Sequence, residues 1–273
     1  MKKSGMILPF LFALLLLTFW GCDKEEHTRP VDFNLYFEVD EKPVMDGNLT
    51  IESILISLGS IDIDGQREVG EDVFLTRKFD EREIIGFTIA DRGNIISFNL
   101  PQGIYNPLSF MLNLTPDSEE EEEDLHEDFE EWHRDVEEDS ESIEDLQEEL
   151  GDIIEDYLDD MRPCILVKAK YQRNDIFYNV IFAFNDPVMI QIRARNAEGG
   201  TEVSLSKDRI NEGVIVLDPA YWFSAVSPSM LESAFPGIID EEKYIFLHKE
   251  VNFQLFTAIY NRFEESAVLF IKE

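Results

Sequence analysis

Cysteine, positive charge and recognisable catalytic signatures are scarce in this chain. Two cysteines, Cys22 and Cys164, occur in 273 residues, so the disulfide framework of a small secreted domain is excluded. Cys164 opens the apolar run Cys164-Ile165-Leu166-Val167, where a buried, inert thiol is expected. Lysine and arginine number 23 against 58 aspartates and glutamates, a formal net charge of −35. A field of that sign repels phosphate backbones, which argues against nucleic acid and favours cations and basic proteins. Only four histidines are present, and His27 and His248 fall in a tether and a loop, which leaves little for acid–base work. Nucleophile elbow, phosphate-binding glycine loop and dinucleotide fingerprint are all missing. No residue is singled out as catalytic and no cofactor is expected. A divalent cation is the one ligand that the composition invites.

The first residues carry an address. Met1-Lys2-Lys3 is a small cationic start, Met6 to Phe19 is almost wholly apolar, and Trp20-Gly21-Cys22 follows. The apolar run is shorter than the ~20 residues that span a bilayer as a helix, and it ends on a small residue, the pattern of a secretory signal. Phe19-Trp20-Gly21-Cys22 resembles a lipobox, with Cys22 as the acylated residue. Asp23-Lys24-Glu25-Glu26 resembles the short acidic export tag of Bacteroidota surface lipoproteins. The resemblance implies removal of residues 1–21, palmitate-type chains on Cys22, a tether over 22–30, and lipid anchoring in the outer membrane facing the exterior. One acyl chain holds a membrane only reversibly; a lipoprotein cysteine carries three.

Beyond the tether the pattern is that of strands. Val31, Phe33, Leu35, Phe37 and Val39 alternate with polar neighbours, the period of two of a half-buried strand. Further segments of this kind fall at 54–58, 61–63, 73–79, 83–89, 95–100, 108–114, 165–171, 176–184, 188–194, 203–205 and 214–217. Asp46-Gly47 and Asp64-Gly65 read as turns between strands, and Pro101-Gln102-Gly103 as another. Short strands with frequent turns and no crossover helices predict a mainly β fold, an antiparallel β-sandwich. The tail differs. Asp218-Pro219 and Pro228 start short helical turns, and Phe253, Phe256, Ile259, Tyr260 and Phe263 form one face of a short C-terminal helix with Asn252 as its N-cap. Ala267–Ile271 reads as a last strand. Gly103-Ile104-Tyr105, Asp218-Pro219 and Trp222-Phe223 together are loosely similar to uncharacterised lipoproteins built on transthyretin- or immunoglobulin-like sandwiches, over residues 31–115 and 164–273. That similarity implies a fold and no activity.

One segment interrupts the pattern. From Asp117 to Asp160 there are 25 acidic residues and one basic residue, Arg134, so it holds −24 of the −35. Leu125, Phe129, Trp132 and Val136, then Ile143, Leu146, Leu150, Ile153 and Tyr157, recur at steps of three and four, a coiled-coil-like seam that must pack against something. Asp139, beside Ser140 and Ser142, falls in the frame between the two sets and favours a break. Residues 117–162 are therefore read as an acidic helical insertion, a hairpin of two helices or one long helix, within a β domain made of 31–116 and 163–273. Its function is either a solvated acidic surface or an arm for cations or a basic partner.

Two weak metal patterns complete the inventory. Glu123-x-x-His126 and Glu130-x-x-His133 place carboxylate and imidazole three apart, as in di-iron bundles, although glutamate is so abundant here that chance supplies such matches. Ser60-x-Asp62-x-Asp64-Gly65 with Glu71 copies the spacing of a calcium loop, but Ser60 replaces the first aspartate and strands flank it. The expected protein is thus a surface lipoprotein acting as a non-enzymatic binding or adhesion module for a protein, glycan or cation, with a carboxylate-dependent hydrolase as the enzyme alternative.

Overall fold

A computed structural model describes residues 29–88, 91, 95–116, 120–138, 142–161 and 163–272. The strands are β1 (Pro30–Val39), β2 (Leu49–Arg67), β3 (Val73–Phe87), β4 (Ile96–Pro101), β5 (Gly103–Leu114), β6 (Ile165–Arg173), β7 (Ile176–Phe184), β8 (Val188–Arg195), β9 (Val203–Leu205), β10 (Asn211–Leu217), β11 (Gly237–Ile239), β12 (Glu242–Leu247) and β13 (Val268–Lys272). Two longer helices, α1 (Glu120–Glu138) and α2 (Ile143–Asp160), fall between β5 and β6. Two short ones, α3 (Pro219–Trp222) and α4 (Pro228–Glu232), follow β10, and α5 (Phe253–Ser266) precedes the last strand. The fold is mainly β, as the alternation predicts. No helix among the described residues is long and apolar enough to cross a membrane.

All strands join one curled sheet in the order β11-β12-β7-β6-β2-β5-β8-β13-β10-β1-β4, with β3 added to β2 and β9 to β5. The sheet is mixed, which corrects the all-antiparallel expectation: β1 with β10, β7 with β12 and β8 with β13 run parallel. Parallel pairing needs a long crossover connection. These strands have it, because each pair is separated by many intervening elements rather than by the short links between consecutive strands. The strand β2 is the hub: its first half pairs with β6 and its second half with β5. Residues 54–67, read as separate segments with a turn at Asp64-Gly65, are one strand. Gly65 serves a close approach, since a Cβ there would stand 2.7 Å from the Tyr105 ring. Residues 73–87 likewise form the single strand β3, across the two segments expected at 73–79 and 83–89, with an irregularity in its pairing opposite Leu58 and Ser60.

The curl encloses a core that includes Phe33, Phe37, Phe110, Ile61, Leu112, Trp222 and Phe263. Phe33 and Phe110 rings lie 5.6 Å apart, and Phe37 reaches Phe87 at 6.0 Å. Phe256, Ile259, Tyr260 and Phe263 of α5 pack here, with Phe256 5.7 Å from Phe182, whereas Phe253, expected on the same face, is exposed. Asn252 stands at the N-cap of α5 but is left-handed, φ 55°, and makes no capping bond. Its amide instead donates to the carbonyls of Phe235 and Phe246 and accepts from the Phe235 N–H, stapling two loops.

The second halves of β7 and β12 are buried on both faces. Val180, Phe182, Ile245 and Leu247 face the main core, while Ile181, Ala183 and Phe246 join a second core under the acidic helices. That second core takes Leu125, Phe129 and Trp132 from α1 and Leu146, Leu150, Ile153, Ile154 and Tyr157 from α2. Burying such side chains yields roughly 1.5–3 kcal/mol each, against a few tenths for each like-charge pair at i, i+4. Eight buried residues therefore outweigh the crowding of carboxylates, and the helices lie on the sheet. Ser142 is extended (φ −73°, ψ 155°) and caps α2 through the Asp145 N–H, so the chain is not one continuous helix. The indole N–H of Trp132 donates to the Leu146 carbonyl at 3.0 Å and ties the two helices together. Val136 and Ile143, 38% and 70% exposed, lie where the seam runs out.

Both ends of the insertion meet at one buried residue. The Ser57 N–H donates to the Cys164 carbonyl, and the Ser57 carbonyl accepts from the Thr115 N–H. The strands β5 and β6 thus meet the same edge of β2 end to end, and the helices leave from the junction. The helix α2 then crosses the edge strand β11 with no side chain between them: a Cβ on Gly151 would fall 1.9 Å from the Ile238 carbonyl oxygen. This contact covers a sheet edge that would otherwise offer unpaired backbone groups.

Candidate functional site

The residues suggested by the sequence do not gather into one centre. Cys22 lies outside the described residues, as does the side chain of Glu123. On α1, His126 Nε2 is 3.4 Å from Glu130 Oε1, and His126 Nδ1 is 3.8 Å from Glu250 Oε1. His133 turns away from Glu130 and bonds the Glu250 carbonyl at 2.8 Å. Asp62 and Asp64 belong to the extended β2. The Asp62 carboxylate accepts from Thr76 Oγ1 at 2.6 Å and Asn113 Nδ2 at 2.9 Å, its neighbours on β3 and β5. Glu71 lies beyond the end of the strand, where its backbone carbonyl accepts from Arg67. Among the described residues no three His, Cys, Asp or Glu side chains stand close enough together to hold a metal ion.

Two other places draw polar groups together. The first is dry and internal. His248 is 2% exposed, with its ring among Phe129, Phe246 and Tyr157 at centroid distances of 5.5, 5.2 and 5.6 Å. Its Nδ1 accepts from the Glu250 N–H, and its Nε2 has no hydrogen-bond partner among the described residues. Burial, with Lys249 adding to it, pushes its pKa down to about 3. Beside it the Tyr157 hydroxyl donates to Asn185 Oδ1 at 2.5 Å, and Cys164 Sγ lies 3.5 Å from the Asn185 carbonyl. Among the described residues this cluster is buried beneath α1 and α2.

The second place is open. The acidic helices cover only part of the outer face of β6, β7 and β12. Where the cover stops, a groove of about 830 Å³ remains, bordered by Leu158 of α2. Strand alternation puts Lys168 and Lys170, then Phe177 and Asn179, then Glu242 and Tyr244 on its floor. Register places Asn179 between Lys170 and Tyr244, so Phe177 is a diagonal neighbour of Tyr244. Phe177 is 61% exposed. Lys170 Nζ lies 2.6 Å from Glu52 Oε1, which raises the lysine pKa. Asn179 Nδ2 donates to Glu242 Oε2 at 2.7 Å. Partial burial, with Glu242 and Asp240 nearby, raises the Tyr244 phenol. At the far end of β6, Tyr171 and Arg173 clamp Glu232 of α4 at 2.6 and 3.1 Å; the tyrosine is pushed up to about 12, chiefly by desolvation, and the carboxylate is lowered.

Sequence reasoning missed this groove because its third strand was missed. The turn between β11 and β12 has Asp240 and Glu241 at positive φ, 50° and 66°, without the Asn-Gly pair that signals such a hairpin. The one available signal was Phe177, an aromatic side chain at an outward position of β7 ahead of the continuous apolar run Val180–Phe184.

Comparison of the chain with known protein families, with curated proteins and with solved structures gives no match.

Proposed function

We propose that this protein is a lipid-anchored binding module displayed on the outer face of the bacterial outer membrane, acting without catalysis. The groove over β6, β7 and β12 carries the reading: two aromatic side chains and fixed polar groups line an open sheet face, while the strongly perturbed histidine is sealed away from it. The anchor rests on the sequence around Cys22 and its similarity to a lipobox. In this reading the tether 22–30 holds the domain off the membrane. The helices α1 and α2 form a hairpin laid over one half of the curled sheet, and the sheet's two halves face each other across the main core as a sandwich.

The test combines address and surface. Cells expressing the full chain incorporate radiolabelled palmitate, the label disappears in Cys22→Ser, and external protease removes the protein from intact cells. Failure to label refutes the anchor; labelling with complete protection from protease refutes surface display. For the absence of catalysis, turnover of any ligand found for the groove would overturn the proposal.

A further inference from the structure

We infer that the groove takes an oligosaccharide without net charge; this rests on the binding-module reading above and names its ligand class. Charge is the first argument. Lys168, Lys170 and Lys243 face Glu52, Glu241 and Glu242 around the groove, so the lining is balanced in a chain that carries −35. A balanced lining holds neither an anion nor a cation preferentially. The second argument is the pairing of Phe177 and Tyr244 on one side of adjacent strands. Phe177 is exposed and Tyr244 half-buried; aromatic rings suit the C–H faces of pyranose rings, and the few polar groups between them fix orientation.

The third argument is the state of those polar groups. Lys170 is held by Glu52 and Asn179 by Glu242, and each retains donors or acceptors beyond the bond it makes. Such fixed, mixed donors and acceptors match hydroxyl groups, which both give and take hydrogen bonds. A peptide fits less well. The floor is a sheet face whose backbone groups are paired among β6, β7 and β12, so an extended chain finds no edge there to add to.

The full chain, purified in detergent, is titrated by calorimetry with neutral hexasaccharides based on glucose, mannose, galactose and xylose, with oligogalacturonate, and with a random hexapeptide pool. The expected result is saturable binding of at least one neutral hexasaccharide. Phe177→Ala then weakens it tenfold or more with an unchanged circular dichroism spectrum, and Tyr244→Leu, which keeps an apolar side chain against the second core, weakens it similarly. Binding only of the peptide or the acidic sugar, lost in the same variants, overturns the neutral-saccharide assignment and leaves the binding module standing. No binding by any probe, or binding indifferent to both substitutions, overturns the groove as the site.

Discussion

Replacing His248 by leucine isolates how acid acts on one buried imidazole. The native imidazole is neutral, dry and stacked against Phe246, with its pKa lowered to about 3. In the unfolded chain it titrates near 6.5. A group whose folded pKa is depressed in this way gives its full contribution above pH 6.5, and the folded state loses stability as pH falls from 6.5 toward 3, because only the unfolded chain takes up the proton. At about 1.4 kcal/mol per pH unit, the loss is about 2 kcal/mol at pH 5. The chain carries 58 aspartates and glutamates beside this one imidazole, so the native protein alone does not isolate its contribution. The groups facing the ring from the packed elements are Tyr157, Lys249 with its partner Asp186 at 3.3 Å, and Glu250, whose carbonyl is held by His133. All remain in the variant. The difference in urea-unfolding free energy between native protein and His248→Leu, followed by tryptophan fluorescence at pH 7, 6 and 5, therefore isolates the imidazole. It should shift by about 2 kcal/mol in favour of the variant between pH 7 and pH 5. A difference constant to within about 0.5 kcal/mol across that range refutes the reasoning, for it means that His248 takes its proton in the folded state near the usual pH.

Three more outcomes follow from the packing. Gly151→Ala should destabilise the fold by about 1–3 kcal/mol in urea unfolding, because its Cβ has no room beside the Ile238 carbonyl; helix propensity alone predicts a gain of about 1 kcal/mol, so a stabilised variant refutes the close crossing. Tyr157→Phe leaves the buried Asn185 Oδ1 without its hydroxyl donor and should cost about 1–3 kcal/mol; a neutral substitution means that the amide finds another donor. Cys164, fully buried in the core, should react with an aromatic disulfide reagent only at the rate of unfolding, and fast labelling of the native protein contradicts its burial.

Much of the strand inventory was legible because alternation reports a half-buried sheet directly. β1, β6, β7 and β8 lie where Val31–Val39, Ile165–Tyr171, Ile176–Phe184 and Val188–Ala194 put them. Pairing was not legible in the same way. Parallel partners such as β7 and β12 are remote in sequence, and nothing local distinguishes a strand with a parallel neighbour from one with an antiparallel neighbour. Asp64-Gly65 misled for a definable reason. Glycine there answers to a neighbouring aromatic ring rather than to a positive φ, and a dipeptide cannot say which. The apolar run Val180–Phe184, by contrast, breaks alternation because both faces are covered, and that break is the sequence trace of the helices docked on β7.

The sequence reads the acidic insertion as a solvated surface or an arm for cations or a basic partner, with an apolar seam that must pack. That seam packs inside the molecule, on Ile181, Ala183 and Phe246. What then matters is where the cover ends. The helices leave Lys170 and Asn179 open and Tyr244 half-covered while sealing the row Lys168, Ile181, Phe246 at its apolar side, so the boundary of the second core is also a wall of the groove. A rigid wall requires a fixed helix, and α2 is fixed by the backbone crossing at Gly151 and by the indole bond from Trp132. The carboxylates that dominate the composition are the solvated outer surface of that wall. On the groove side of that wall stands Leu158.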